Sequence, residues 1–359
     1  MKLLFVGTNR GGGGTESHFV TLARAMQEAG HDVAAVVYPG SPIYLGLKGS
    51  GVKLHEGIFR NAFDPRGIAA VWKVSREYKP DWIVGSFSKE YWPLAIISRL
   101  LGIKLALFKH MDFPMRPATN YFIPRMAERF IVISDFMKRK FITRGVKAEH
   151  MHVLYNPLNL EYFKPNPELR QATRKTLGYT DADVVLGFIG ALHPDKGFLQ
   201  LADSVNQAMV QCPELRVFWL GAGRAASLLD DKIENGGFAK RHARHPWNAD
   251  VRPYYAAMDI LAMPSVESDT FGRVSIEAQA SGVPVLCSDI GGIPETLLPG
   301  VTGLLLPPGD ISIWCDAIIK LASDTRLRAN MAEQGRKWVA QQFSAPVIAQ
   351  QFEKMLSDD

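Results

Sequence analysis

Asp269 and Glu277 are the residues whose types and spacing could carry out chemistry. The acids flank Thr270-Phe271-Gly272. Phe271 and Gly272 are placed to bring free backbone N–H groups to the start of a helix over 273–281, where the half-positive dipole end suits a phosphate. Glu277, about a turn further in, can accept hydrogen bonds from vicinal hydroxyls such as those of a ribose. Asp269, before the turn, can hold hydroxyls of a second sugar. A diphosphate between two polyols describes a nucleotide sugar. The same stretch also reads as an ordinary strand–helix unit with surface acids, because short motifs arise by chance.

The elements that must hold these groups follow from the apolar runs. Residues 259–263, bounded by Pro264 and Ser265, read as a buried parallel strand. Gly282-Val-Pro284 stops the helix, and 283–287 forms a second strand leading into Asp289-Ile-Gly-Gly-Ile-Pro-Glu295. The acids therefore bracket a turn at the carboxyl end of a strand, where open α/β sheets bind ligands. Upstream, 183–189 is another buried strand whose loop, 190–197, carries Lys196; a helix over 198–211 and a strand over 216–221 follow.

The first half begins the same way. Residues 2–6 are a strand, 8–14 (TNRGGGG) its loop, 18–29 a helix with Phe19, Leu22, Ala23 and Met26 on one face, and 33–37 a second strand. The loop does not match the dinucleotide pattern G-x-G-x-x-G. Its four glycines permit close backbone approach and unusual φ values, or simply a flexible turn. Further strands read over 52–55, 82–85, 105–108 and 130–134, with helices over 67–78 and 92–101. His110 leaves the carboxyl end of the 105–108 strand, a position suited to chemistry and equally to a satisfied structural imidazole. The bulky segment 113–122, with Pro114, Arg116, Pro117 and Tyr121, reads as a lid. Residues 163–167 are the best domain boundary. The fold class is α/β, in two domains.

Composition agrees with two cores: 359 residues, 47% apolar and 21% charged. No apolar run approaches the ~20 residues of a membrane span. Residues 1–6 are too short for a signal peptide and read as a strand. Cys212, Cys287 and Cys315 are scattered and read as reduced core thiols of a cytoplasmic protein. No metal-ligand spacing is seen around His242 or His245. Residues 1–170 hold 24 Lys and Arg against 14 Asp and Glu, the remainder 17 against 22. The excess is concentrated between Arg125 and Lys147, around Lys138-Arg139-Lys140. A basic half suits an anionic membrane surface or acceptor, or is a solvated helical face; no signature supports nucleic acid.

Pro264-Ser265, Asp269-x-Phe271-Gly272-x4-Glu277-Ala278, Gly282-x-Pro284-Val285 and Asp289-x-Gly291-Gly292-x-Pro294-Glu295 resemble the signature of retaining glycosyltransferases of family 4. Gly300-x-x-Gly303-Leu304-Leu305 and Pro307-x-Gly309-Asp310 continue it. The resemblance implies the GT-B fold: two Rossmann-like doubly wound domains facing across a cleft, with a C-terminal helix crossing back to the N-terminal domain. It implies an acceptor-binding domain over 1–163 plus about 340–359, and a nucleotide-sugar-binding domain over 164–339.

As catalytic residues it implies His110, Lys196, Asp269 and Glu277. Gly13, Gly14, Ala191, Lys196, Trp247, Phe271, Gly272, Arg273 and Glu277 would line the donor, with Asp112 and Arg116 on the acceptor side. Trp247 would stack on the base or pack in the core. Two positions depart from the family pattern. Asp269 stands where a glutamate is usual, and Ala191 where an arginine meets the diphosphate, a loss that Arg273 or Arg10 would offset.

The implied activity is transfer from a UDP- or GDP-sugar to a glycan or lipid-linked acceptor in cell-surface polysaccharide or lipopolysaccharide synthesis. No cofactor or metal is expected, and the enzyme would be cytoplasmic or peripheral at the inner membrane face. A nucleotide-sugar epimerase or hydrolase, or a weak nucleotide-sugar-binding homologue, are the alternatives.

Overall fold

Runs such as Leu3–Val6 and Leu105–Phe108 are buried on both faces, as expected of parallel strands covered by helices on either side. The computed structural model describes residues 1–267 and 269–358. It divides into two units, Met1–Asn159 together with the chain from Phe343 onward, and Leu160–Gln342. The sequence had suggested breaks at 163/164 and 339/340.

In unit 1 the strands are β1 (Lys2–Gly7), β2 (Asp32–Val37), β3 (Lys53–Glu56), β4 (Trp82–Gly85), β5 (Lys104–Lys109), β6 (Arg129–Val132) and β7 (Met151–Val153). They form one sheet in the order β3-β2-β1-β4-β5-β6-β7, every pair parallel. The helices are α1 (Gly14–Glu28), α2 (Pro42–Leu47), α3 (Pro65–Tyr78), α4 (Tyr91–Leu101), α5 (Pro117–Met126) and α6 (Asp135–Thr143). Most of the expected lid over 113–122 is in fact α5, with Pro117 at its first turn, where a missing N–H does no harm. None of Gly11 to Gly14 adopts a positive φ. Gly13 is extended and caps α1, and Gly14 already belongs to that helix.

Unit 2 carries α7 (Pro167–Leu177), β8 (Val184–Ile189), α8 (Phe198–Gln211), β9 (Leu215–Leu220), α9 (Ala226–Asn235), β10 (His242–His245), α10 (Arg252–Ala257) and β11 (Ile260–Met263). It continues with α11 (Arg273–Ala280), β12 (Val285–Ser288), β13 (Gly303–Leu306), α12 (Ile311–Ser323) and α13 (Thr325–Phe343), whose last residue returns to unit 1. The sheet order is β10-β9-β8-β11-β12-β13, again all parallel. In both sheets the chain builds outward on one side of its first strand and then resumes on the other. The switch points fall between β1 and β4, and between β8 and β11.

The final helix, α14 (Ala345–Ser357), is part of unit 1. Leu158 N–H donates to the Phe343 carbonyl at 2.7 Å and Ala345 N–H to the Leu158 carbonyl at 2.9 Å, which fixes the chain as it arrives. Ile348, Ala349, Phe352 and Leu356 share one helical face and are buried in the core of unit 1, with Phe352 5.5 Å from the Phe108 ring. Replacing Phe352 by Ala is expected to cost about 3–5 kcal/mol of stability. The exposed Lys354→Ala should stay within about 0.5 kcal/mol of wild type. Urea unfolding of both variants measures the contrast.

Candidate functional site

In unit 2, Lys196 closes a short 3-10 turn after β8, and Asp269 lies in the loop after β11. The topology brings these two distant positions together: Lys196 Nζ donates to Asp269 Oδ2 at 2.7 Å, across the switch point. Backbone contacts hold the loops in register. The Asp195 carbonyl accepts from Val266 N–H at 2.9 Å and from Glu267 N–H at 3.2 Å. Gly197, at φ 66°, is needed here, because a Cβ would stand 1.8 Å from the Pro264 carbonyl oxygen. Gly291 and Gly292 press against Asp269 and Thr270 so closely that Cβ atoms would lie 2.3 and 2.4 Å from their carbonyl oxygens. Gly292 N–H donates to the Asp269 carbonyl at 2.8 Å. The glycine pair therefore shapes the acid's own loop.

Phe271 corrects an expectation. Its ring is 1% exposed, and its N–H is not free but donates to Asp269 Oδ1 at 3.3 Å, the turn an Asp side chain makes with the backbone two residues on. Gly272 provides no side-chain cap to α11; Ser275 N–H donates to the Gly272 carbonyl at 3.0 Å, which leaves the Arg273 and Val274 amides without an intrahelical acceptor. Glu277, on the buried side of α11, is held at both oxygens: Arg273 Nε donates to Oε1 at 2.7 Å and the buried Tyr255 hydroxyl to Oε2 at 2.9 Å. Arg273, expected to replace a missing phosphate cation, is thus committed to Glu277, although its buried Nη1 has no partner. Ala191 is exposed and adds no charge. Trp247 is 59% exposed beyond β10, so core packing is ruled out and its ring face is available for stacking.

In unit 1, His110 follows β5 and is 5% exposed, with Nε2 unpartnered. Burial, then Lys109, lower its pKa to about 3, so the imidazole is neutral near pH 7. Its ring lies parallel to Phe108 at 5.8 Å and edge-on to His18 at 4.6 Å. Asp112, expected on the acceptor side, is paired with Lys140, and Arg116, expected there too, is exposed at the start of α5. Arg10, the other candidate for the missing phosphate cation, stacks on Tyr38 at 4.6 Å. Gly13 and Gly14 stand at the start of α1, where no side chain caps the helix.

Sequence reasoning missed Glu90, Lys89, His18 and Tyr255. Glu90 follows β4, is fully buried, and accepts from Thr8 N–H at 2.8 Å and from Thr8 Oγ1–H at 2.6 Å. Lys89 Nζ donates to the carbonyls of Thr8 at 2.9 Å and Phe59 at 2.8 Å. Together they fasten the base of the glycine-rich loop. The signal available for His18 was its place on the apolar face of α1, next to Phe19 and one turn before Leu22. Glu90 and Tyr255 offered none before the strand order was known. Among the described residues no cluster of three or more His, Cys, Asp or Glu could hold a metal ion.

Two family models match the chain: Glycosyltransferase Family 4 over residues 12–162 and Glycosyl transferases group 1 over 183–324. The D-inositol 3-phosphate glycosyltransferase of Mycobacterium marinum is 29% identical over 266 residues, 70% of this chain and 54% of that protein. The GDP-mannose-dependent monoacylated alpha-(1-6)-phosphatidylinositol monomannoside mannosyltransferase of Corynebacterium glutamicum is 31% identical over 238 residues, 63% of this chain and 61% of that one. The chain thus spans roughly half to three fifths of the length of these curated relatives.

Anabaena Alr3699/HepE, solved with UDP, superposes with a TM-score of 0.85 at 24% identity, covering 99% of this chain and 100% of that one. A glycosyltransferase from Rickettsia africae gives 0.87 at 18% identity, covering 100% and 99%. The chain belongs to the group 1, family 4 glycosyltransferases and has the pair of parallel-sheet domains of the GT-B fold.

Glu90 gives a stability test. Burial raises its pKa from 4.5 to about 7 against the Thr8 hydrogen bonds and Lys89, which lower it. Between those values the folded chain keeps a proton that the unfolded chain has lost. Stability is therefore full below pH 4.5 and declines as pH rises to about 7. Glu90→Gln should remove that decline and be more stable than wild type at pH 8, by on the order of 1–3 kcal/mol. Urea unfolding at pH 5 and pH 8 provides the comparison.

Proposed function

We propose that the protein is a retaining glycosyltransferase that moves a sugar from a UDP- or GDP-linked donor to a glycan or lipid-linked acceptor of a cell-surface polysaccharide or lipopolysaccharide. One observation carries this: Lys196 and Asp269 meet across the switch point of unit 2, beside the uncapped start of α11 and the oriented Glu277. The relatives support the donor class, since one is GDP-mannose-dependent and one fold neighbour was solved with UDP.

Departure of the nucleoside diphosphate builds negative charge on the outer phosphate. Lys196, the Arg273 and Val274 amides at the start of α11 and the unmatched Nη1 of Arg273 stabilise that charge. Glu277 takes the ribose hydroxyls through lone pairs that Arg273 and Tyr255 leave open. Trp247 stacks on the base. Asp269, released when Lys196 turns to phosphate, receives the hydroxyls of the donor sugar. The departing phosphate accepts the acceptor's proton on the face it leaves, so the anomeric configuration is kept. Asp112 and Arg116 are on the acceptor side.

No described helix is long and apolar enough to cross a membrane. Unit 1 nevertheless presents an apolar stripe at an i, i+4, i+8 spacing on α4: Trp92, Ile96 and Leu100, the last two 50% and 69% exposed. Phe122 of α5 lies 6.4 Å from Trp92, and Arg99 and Arg125 flank the stripe. Apolar side chains framed by arginines suit a peripheral seat on an anionic membrane.

Lys196→Met is expected to weaken UDP or GDP binding roughly tenfold or more and to lower kcat/KM about 10²–10³-fold. A thermal-shift panel and product analysis, with and without EDTA, read this. Turnover should persist in EDTA, and donor cleavage without any acceptor product would mark a hydrolase instead. Nucleotide affinity equal to wild type in Lys196→Met would falsify the assignment of the phosphate site. For the membrane seat, Leu100→Glu combined with Phe122→Glu should abolish co-sedimentation with phosphatidylglycerol vesicles; undiminished sedimentation would discard it.

A further inference from the structure

Unit 1 carries a charge imbalance that donor binding leaves unused. Lys109, the last residue of β5, is 4% exposed, yet its ammonium makes no hydrogen bond or ion pair among the described residues. Its Nζ lies 5.8 Å from the centroid of the buried Phe141 ring, and the Arg144 guanidinium lies 5.3 Å from the same centroid. Two cations thus converge on one aromatic ring. The carboxylate beside them, Asp112, is paired with a third cation, Lys140, while Arg144 donates to the Asp112 backbone carbonyl. Three positive groups, Lys109, Arg144 and Lys140, therefore gather around Asp112 at the carboxyl end of β5, next to His110. Burial, and after it Arg144, bring the Lys109 pKa down to about 8, as happens to a charge that water reaches poorly. An ammonium in such surroundings costs stability unless an anion joins it.

From this geometry we propose that unit 1 holds an anion subsite, formed by Lys109 and Arg144 with Lys140 at its edge, that takes a phosphoryl group of the acceptor. The inference rests on the transfer reaction above only in calling the bound species an acceptor. A phosphoryl group fits better than a carboxylate because the surplus of two charges matches a phosphate monoester. An ammonium and a planar guanidinium also approach its tetrahedral oxygens from separate directions. The phosphoryl group belongs either to a soluble polyol phosphate or to a lipid headgroup.

The test uses the full chain, with sn-glycerol 3-phosphate as the soluble probe at constant ionic strength and vesicles containing phosphatidic acid, whose headgroup is also a phosphate monoester, as the second arm. Wild type should gain thermal stability from the probe. Lys109→Met and Arg144→Gln should weaken its binding roughly tenfold or more, the factor that loss of one hydrogen bond to a charged group carries. Without the probe, Lys109→Met should be at least as heat-stable as wild type, since it removes a buried, unpaired charge; a purely structural lysine would lose stability instead. Vesicle binding weakened by the same substitutions assigns the group to a lipid headgroup, whereas weakening for the soluble probe alone assigns it to a free phosphate ester. Equal affinity of wild type and both variants in both arms, or no response of wild type to either, overturns the subsite. UDP and GDP affinities, carried by Lys196, should be unchanged in these variants. If wild type bound neither nucleotide, the transfer reaction would fail and the subsite would stand.

Discussion

The ion pair between Lys196 and Asp269 spans the place in unit 2 where the strand order reverses, and the shape of the candidate site depends on it. β8 and β11 are hydrogen-bonded neighbours, but the chain leaves them toward opposite sides of the sheet, so no connection covers the crevice above them. Side chains have to close it. Unit 1 meets the same constraint between β1 and β4, where Glu90 reaches back to Thr8. The two closures differ in kind. A carboxyl with no exposure to solvent grips a neutral partner in unit 1 and leaves little for a ligand to displace. In unit 2 a partly accessible lysine faces an acid, and a phosphate can compete for that lysine.

Arg273 shows a second constraint. A cation in the first turn of a helix opposes the helix dipole, and an Arg preceding a Glu by four residues is the weaker orientation of such a pair. Local helix stability therefore does not account for this residue. What it provides is a fixed Glu277, with Tyr255 completing the grip from α10. The carboxylate is oriented before any ligand arrives, and each of its oxygens keeps a further lone pair.

Much of this was legible in the sequence because parallel strands buried on both faces are written as unbroken apolar runs. β1, β2, β4, β5, β8, β9 and β11 all announce themselves that way. Several of the elements that escaped notice lack that signal. β10 reads His-Ala-Arg-His at the edge of its sheet, β7 is three residues long, and α5 contains Pro124. The glycine spacing around residues 291–292 marked a close backbone approach, though not which backbone was approached. Pairings across the switch points could not be read, because they depend on strand order. Lys196 and Asp269 were each chosen for phosphate or sugar, and their contact with one another emerges only from the folded chain. Glu90 had no motif around it, and its role comes entirely from the neighbouring end of β1.

The place of α14 in unit 1 bears on how the molecule is made. Unit 2 is encoded without interruption, so every strand of its sheet is in hand once residue 342 has been synthesised. Unit 1 begins first but lacks one wall of its core until Ile348, Phe352 and Leu356 are translated. During elongation its early strands wait with α1 uncovered, an apolar surface for chaperones to shield. The later-coded unit can thus finish maturing before the one that started, and a chain released between residues 342 and 348 would carry one completed domain and one left open.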